Sequence, residues 1–415
     1  MTAAMTGTDP NTATSPRQPE TASPRGGIPR GLARTGPILF SYGFRPFFLG
    51  AGLWAFASMA LWIAALAGHL PIGGSYGATY WHAHELLFGF STAALAGFLL
   101  TAVPNWTGRL PVSGWPLAGL FAIWCAGRAA MLAPDVLGLT ASAAIDALFL
   151  PALAFIVARE LIAGKKWGDM KILAAVLFLT GANVWFHAAV LTGGDETIPA
   201  RLGVSAFTVM VMLVGGRIIP SFTHNWLNRF GKKPLPMPFG RYDIAAIVVG
   251  AVALGFYTAA PSNPLTAIPA TLAFAMQSYR LYRWRGWKTA SDPLLLILHL
   301  AYAFVPLAFA AIAAAALDLV PTWSVLHILT VGVISTMIVA VMTRASLAHT
   351  GRALSASRIT QASYAALLLA ALSRPLAGFF PEHAMFFYSA SGVLWLAAFG
   401  LFLIQYAPIL VGARR

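Results

Sequence analysis

The chain of 415 residues has one cysteine, Cys125, and only 13 acidic residues. A single thiol excludes an internal disulfide and any cysteine-only zinc or iron–sulfur site built from one chain. Charged residues are 10% of the sequence, against about a quarter in a soluble domain, which excludes an ordinary water-soluble enzyme. Phosphate-binding glycine loops, nucleophile elbows and paired catalytic carboxylates are also missing. Any metal chemistry therefore rests on histidine, carboxylate or methionine.

The sequence is rich instead in apolar residues, 58% of the total. Residues 1–36 are dominated by Thr, Pro, Ser, Ala and Arg, which predicts a disordered cytoplasmic tail without a secretory signal. Beyond it lie twelve apolar segments near the length of about 20 residues that spans a bilayer. They run from Phe47 to Ala67, Glu85 to Val103, Trp115 to Ala133, Leu139 to Val157, Ile172 to Leu191 and Ala200 to Ile219. The second six run from Asp243 to Ala260, Pro264 to Leu281, Leu294 to Ala315, Ser324 to Met342, Gln361 to Gly378 and Met385 to Leu403. The expected fold is an all-α integral membrane protein, with residues 37–415 forming one domain of twelve transmembrane helices.

The net charge of +14 supports this division. Every second loop is basic, and of the 27 basic residues all but Arg128, Arg201 and Arg374 fall on one side of the twelve segments. Cytoplasmic loops are enriched in Lys and Arg, so both termini are expected in the cytoplasm. The basic excess then reads as orientation and contact with membrane lipid, not as nucleic-acid binding.

The second and tenth segments align without a gap, His84 to Arg109 over His327 to Arg352. His84 matches His327, Leu86 matches Leu329, Gly89 matches Gly332, and both end in Thr-Gly-Arg. The sixth ends in a related way at Ile219-Pro220-Ser221-Phe222-Thr223. Helices two, six and ten are spaced by four, the pattern of three four-helix units.

Nine histidines stand out in so apolar a chain. His82, His84 and Glu85 open the second span on the periplasmic side, and His327 lies in the first turn of the tenth. His187, in the fifth, lies roughly 6 to 9 Å below that surface at 1.5 Å per residue. His69 and His383 fall in outer loops, and His224, His299 and His349 in the cytoplasmic half. Any one histidine taken alone is a cap or a hydrogen-bonding residue between helices. Four in one membrane layer are a candidate site, because ionisable groups in spanning segments are costly and neutral imidazole ligates haem iron and copper. His82, His84, His187 and His327 are thus the candidate cofactor and metal ligands. His84 and His327 could serve as axial haem ligands if helices two and ten face each other, whereas His82 cannot share a helical face with His84. Met210, Met212, Met337 and Met342 are weaker copper candidates, since methionine in a membrane core is usually packing. Asp146 either belongs to a proton path or pairs with Arg128.

At Trp81-His82-Ala83-His84-Glu85-Leu86-Leu87-Phe88-Gly89-Phe90 the chain resembles the NnrS family of bacterial polytopic membrane proteins. The likeness continues through Gly97 to Gly108, Ser41 to Phe48, Gly216 to Thr223 and His349 to Arg352. It implies membrane-bound haem, b-type, together with copper, in the bacterial inner membrane, and a role in nitric oxide metabolism, in denitrification or defence against nitrosative stress. Twelve helices with histidines in the second and tenth also look like the catalytic subunits of haem–copper oxidases. The chain departs from those in lacking a His-His pair and a His-Phe-His arrangement.

Three functions follow. One is an enzyme that reduces nitric oxide to nitrous oxide with electrons from quinol, with Glu85 as the catalytic residue that helps protons enter from periplasmic water. The second is a protective protein that binds nitric oxide, haem or copper without turnover. The third is a transporter, for which twelve helices would be ordinary.

Overall fold

Inside a bilayer every backbone N–H and C=O must find its partner within the protein, which leaves helices as the solution for apolar segments of this length. The computed structural model describes residues 37–415; the tail expected over 1–36 lies outside the described residues. Helices occupy all twelve predicted positions, and no strand is present among the described residues. They are α1 (Phe44–Leu66), α2 (Ala78–Thr107), α3 (Trp115–Leu132), α4 (Leu139–Ala163), α5 (Trp167–Thr192) and α6 (Thr197–Arg229). Then follow α7 (Arg241–Ala259), α8 (Ala267–Arg283), α9 (Pro293–Ala316), α10 (Thr322–His349), α11 (Arg358–Leu376) and α12 (Pro381–Val411).

Ten of these helices are long and apolar enough to cross a membrane. The other two are α8, of 17 residues with Arg280 and Arg283 in its last turn, and α11, which opens on Arg358 and carries Arg374 near its end. Each packs between spanning neighbours, α8 between α7 and α9, α11 between α10 and α12.

Each helix packs against the next, and α12 returns to α1, so the order closes on itself. The second helix of each set of four, α2, α6 and α10, touches the other two. That is the arrangement expected of three four-helix units. The most apolar stretch of α2 is 83% buried against 28% for α1, which places α2 at the centre. At one end Arg45 of α1 donates from Nη1 to the carbonyls of Leu410 (2.7 Å) and Gly412 (2.8 Å), tying the two ends of the described chain together.

The three central helices share a further property. Each contains a widened π-helical turn, at Glu85–Phe90, Val211–Gly215 and Ile328–Ser335. Such turns leave carbonyls that need new partners and are frequent at functional sites. In α2 and α10 the turn begins directly after the aligned residues His84 and His327, and a Ser-Thr pair stands at its end, just after it in α2 and across its last residue in α10. Ser91 Oγ donates to Leu86 O at 2.9 Å and Thr92 Oγ1 to Phe88 O. Ser335 Oγ donates to Thr330 O at 2.8 Å and Thr336 Oγ1 to Gly332 O. The turn of α6 lies further along its helix and runs into Gly215-Gly216 instead, so this detail of the repeat is confined to α2 and α10.

Basic residues occupy the loops at one end, including Lys165, Lys166, Lys232, Lys233, Arg285 and Lys288. Asp135, Asp195, Glu196, Asp318 and Glu382 occupy the other, which is also the end of His82, His84, His187 and His327. Reporter fusions after Lys233 and after Arg285 are therefore expected to read cytoplasmic, and fusions near Asp195 and Asp318 the opposite side. An inverted reading at any one of these points would break the assignment.

Candidate metal centre

On a helix, residues two apart point to different faces, and the structure separates His82 from His84 accordingly. His84 turns toward α5, where His187 and Asn183, four residues apart, share one face. The imidazole centroids of His84 and His187 are 4.4 Å apart. Asp146 of α4 enters between them, and donor atoms of His84, Asp146 and His187 all lie within 4.8 Å of one another. Phe88 and Phe186 pack their rings against His84.

A ring of hydrogen bonds fixes this group. His84 Nδ1 donates to Glu85 Oε1 at 2.8 Å. Arg128 of α3 donates to Glu85 Oε2 at 2.5 Å and, from its other terminal nitrogen, to Asp146 Oδ1. Asn183 Nδ2 donates to Asp146 Oδ2 at 3.0 Å. His187 Nε2 lies 3.0 Å from the same oxygen. Of the two roles read for Asp146 in the sequence, pairing with Arg128 is thus present.

Tyr76 completes the group from a loop. Its hydroxyl is 3.0 Å from His187 Nδ1. Gly73, Gly74 and Gly77 all have positive φ and turn the chain tightly enough to bring Tyr76 inward. Asp135 anchors this turn by accepting from the backbone N–H of Ser75 at 3.0 Å. Burial, reinforced by the Glu85 carboxylate, pushes the Tyr76 hydroxyl well above its ordinary range, so it stays protonated and uncharged.

The electrostatics point to a cation. Two ionised carboxylates face one guanidinium, which leaves a formal charge of −1 when both imidazoles are neutral. All are buried: Glu85 and His84 at 0% exposure, Asp146 at 3% and Arg128 at 5%. Unbalanced charge in so dry a place is costly. The hydrogen bonds agree. With its Nδ1 proton given to Glu85, neutral His84 has a bare Nε2, which faces two oxygens, Asn183 Oδ1 at 2.9 Å and Asp146 Oδ2 at 3.2 Å. Three electron-rich atoms meet without a positive centre. A second proton on His84 or a metal ion resolves this; the proton brings the cluster to neutrality and a divalent ion brings it to +1.

Two imidazoles and one carboxylate form a donor set suited to divalent first-row ions, and it matches the facial triad of non-haem iron(II). Copper would be held here as copper(II), because the thioether and thiolate ligands that select copper(I) are not among the donors. Met210, Met337 and Met342 line a separate apolar chamber. Met212 accepts from Gln277 Nε2 through sulfur at 3.2 Å.

The other two candidate ligands lie outside this group. His82 stacks on Trp62 of α1 at 4.3 Å, and its buried Nδ1 has no hydrogen-bond partner. His327 binds Trp323 O through Nδ1 at 2.8 Å. His82 and His327 lie within electrostatic reach of each other, and Arg374 of α11 acts on both. Of the four, only His84 and His187 come together; His82 rests on Trp62 and His327 on Trp323, and both ring nitrogens of His84 are engaged away from His327. Glu85 also departs from expectation. It is fully buried and held by His84 and Arg128, so it does not reach water from the membrane surface. At the basic end His224 is exposed, while His299 pairs with Thr223 Oγ1 at 2.8 Å.

The family model that matches the chain is NnrS, the NnrS protein, over residues 38–414. The chain belongs to the NnrS family. No curated protein matches it. Membership marks a nitric-oxide-related membrane protein, and in this NnrS chain the buried His-Asp-His group fits a metal ion. The residues that sequence reasoning did not assign to the site are Asp146, read only as a proton-path residue or a partner of Arg128, together with Arg128, Asn183 and Tyr76. Asn183 carried a signal, one helical turn before His187 on the same face; Tyr76 did not, because its loop is placed by tertiary contacts.

The assignment predicts that His84→Ala and His187→Ala each lose the bound non-haem metal, while His224→Ala keeps it, as read by elemental analysis of purified protein. Glu85→Gln, which weakens the carboxylate behind His84, is expected to lower metal affinity about 10- to 100-fold. Full metal content at unchanged affinity in all three site variants would overturn it.

Proposed function

We propose that this NnrS protein handles nitric oxide at a metal centre held by His84, Asp146 and His187, near the membrane face opposite its basic loops. The observation that carries the reading is the buried, net-negative cluster in which His84 Nε2 faces only oxygens. When bound, a divalent transition metal would supply a coordination site for nitric oxide and a route for electrons.

The side chains have distinct parts in this reading. His84, His187 and Asp146 hold the ion. Glu85 orients His84 through Nδ1 and so acts as a positioning residue, as second-layer carboxylates do at metal-bound histidines. Arg128 keeps Glu85 and Asp146 apart and ionised. Tyr76 accepts from His187 Nδ1–H through its hydroxyl oxygen, which leaves the Nε2 lone pair for the ion. Phe88 and Phe186 keep water away. Nitric oxide is small, apolar and soluble in lipid, so a dry site within the membrane suits it.

The haem implied by the family resemblance fits the compact triad poorly, since His84 and His187 stand 4.4 Å apart within packed rings. His82 and His327 suit it better. The Nδ1 of His82 is buried and unpartnered, and His327 has Nδ1 engaged with Trp323 and Nε2 left for a ligand. We assign haem, b-type, to these two histidines and the non-haem ion to the triad.

Our reading favours reduction of nitric oxide to nitrous oxide, 2 NO + 2 e⁻ + 2 H⁺ → N₂O + H₂O, with quinol as the electron source. In proteoliposomes with a reduced quinol analogue, consumption should continue well past one equivalent of bound gas, and His187→Ala should abolish it. Consumption that stops at metal stoichiometry would replace the reductase with a protective nitric-oxide-binding protein. His82→Ala and His327→Ala should remove or shift the Soret band with the triad metal retained; unchanged spectra in both would sink the haem assignment.

A further inference from the structure

The π-turns of α6 and α10, with the residues that follow the π-turn of α2, border one apolar chamber that is partly open to its surroundings. Its walls include Ser91 and Ala94 from α2, Met210 and Gly215 from α6, and Met337 and Ile338 from α10. The only hydroxyl among the lining residues is that of Ser91, and its proton is given to Leu86 O at 2.9 Å. A space with so few polar partners does not hold ordered water, whereas dry apolar cavities of comparable size take up small apolar molecules such as xenon. The free space is about 90 Å³. That volume admits diatomic gases or a noble-gas atom.

Position adds a second argument. Ser91 follows the π-turn that begins at Glu85, so the chamber wall and the metal cluster share one helix, six residues or about 9 Å apart along its axis. Val214, Ile218 and Ile338 of the wall are only half-buried and lie midway along their helices. At that depth the surroundings of a spanning helix are hydrocarbon, where apolar gases concentrate.

We propose that the chamber between α2, α6 and α10 is a binding site for small apolar gases, which takes them from the bilayer and delivers them to the His84–Asp146–His187 centre. The ligand class rests on the chamber alone; only the identification of the gas as nitric oxide rests on the function proposed above.

Xenon is the probe. Crystals of the full chain under xenon pressure should show an anomalous peak between Ala94, Met210 and Met337. Ala94→Leu fills the chamber from its buried wall, and Ile338→Trp fills it from a half-buried position that tolerates a larger side chain. Both should lose the xenon peak and slow nitric oxide association with the metal-loaded protein several-fold, with metal content unchanged. Absence of xenon from the wild-type chamber would overturn the proposal whether or not the protein reacts with nitric oxide. A wild-type xenon peak together with unchanged association rates in both filled variants would overturn it too.

Discussion

The structure around the histidines depends on Arg128. Its guanidinium bridges two carboxylates from different helices, Glu85 of α2 and Asp146 of α4, in a place closed to water. Removing one partner of such a buried group costs about 3–5 kcal/mol, because the remaining charges stay uncompensated. Each carboxylate in turn positions an imidazole or faces one, Glu85 through His84 and Asp146 through His187. A single cation thus sets the spacing of four helices, since α5 is drawn in through His187 and Asn183. The same cation leaves one negative charge over, so besides bracing the helices the cluster can take up one more positive species, a proton or a metal ion.

The π-turn of α2 makes this geometry possible. Gly89 lies inside the turn, and its carbonyl accepts from Trp124 Nε1 at 3.0 Å. A methyl group at Gly89 would overlap Arg128 Nη1 and crowd Glu85 Oε2. Only glycine lets the guanidinium lie against the helix. Its aligned partner Gly332 gives the same close approach to Phe304 of α9, without any charge. One backbone device serves two ends: in α2 it seats an ion pair, in α10 it seats an aromatic ring.

Much of this was legible in the sequence. Apolar run length and alternating basic loops place the twelve helices, because both follow from the physics of the bilayer and not from details of packing. The separation of His82 from His84 follows from helical geometry. What sequence could not supply is partner choice across helices. The alignment of His84 with His327 invites the thought that they face each other, but the two lie on comparable faces of helices that each turn to a different neighbour, α5 for His84 and α11 for His327. The place of Glu85 at the start of an apolar segment predicts a position at the water boundary. The helix in fact begins at Ala78, seven residues earlier, and the loop carrying Tyr76 folds back over it.

The resulting layout has a consequence for reactivity. The polar cluster lies near one face of the membrane, while the apolar chamber lies at mid-depth among the same central helices. A polar group at mid-depth would have to be shielded on all sides, and a gas reservoir at the surface would fill with water. Placing the charges where Tyr76 and its glycine loop can cap them, and the cavity where hydrocarbon surrounds the bundle, satisfies both constraints with one helix. The widened turn between Glu85 and Phe90 is the junction, since its first residue belongs to the cluster and the residue after its last, Ser91, belongs to the chamber wall.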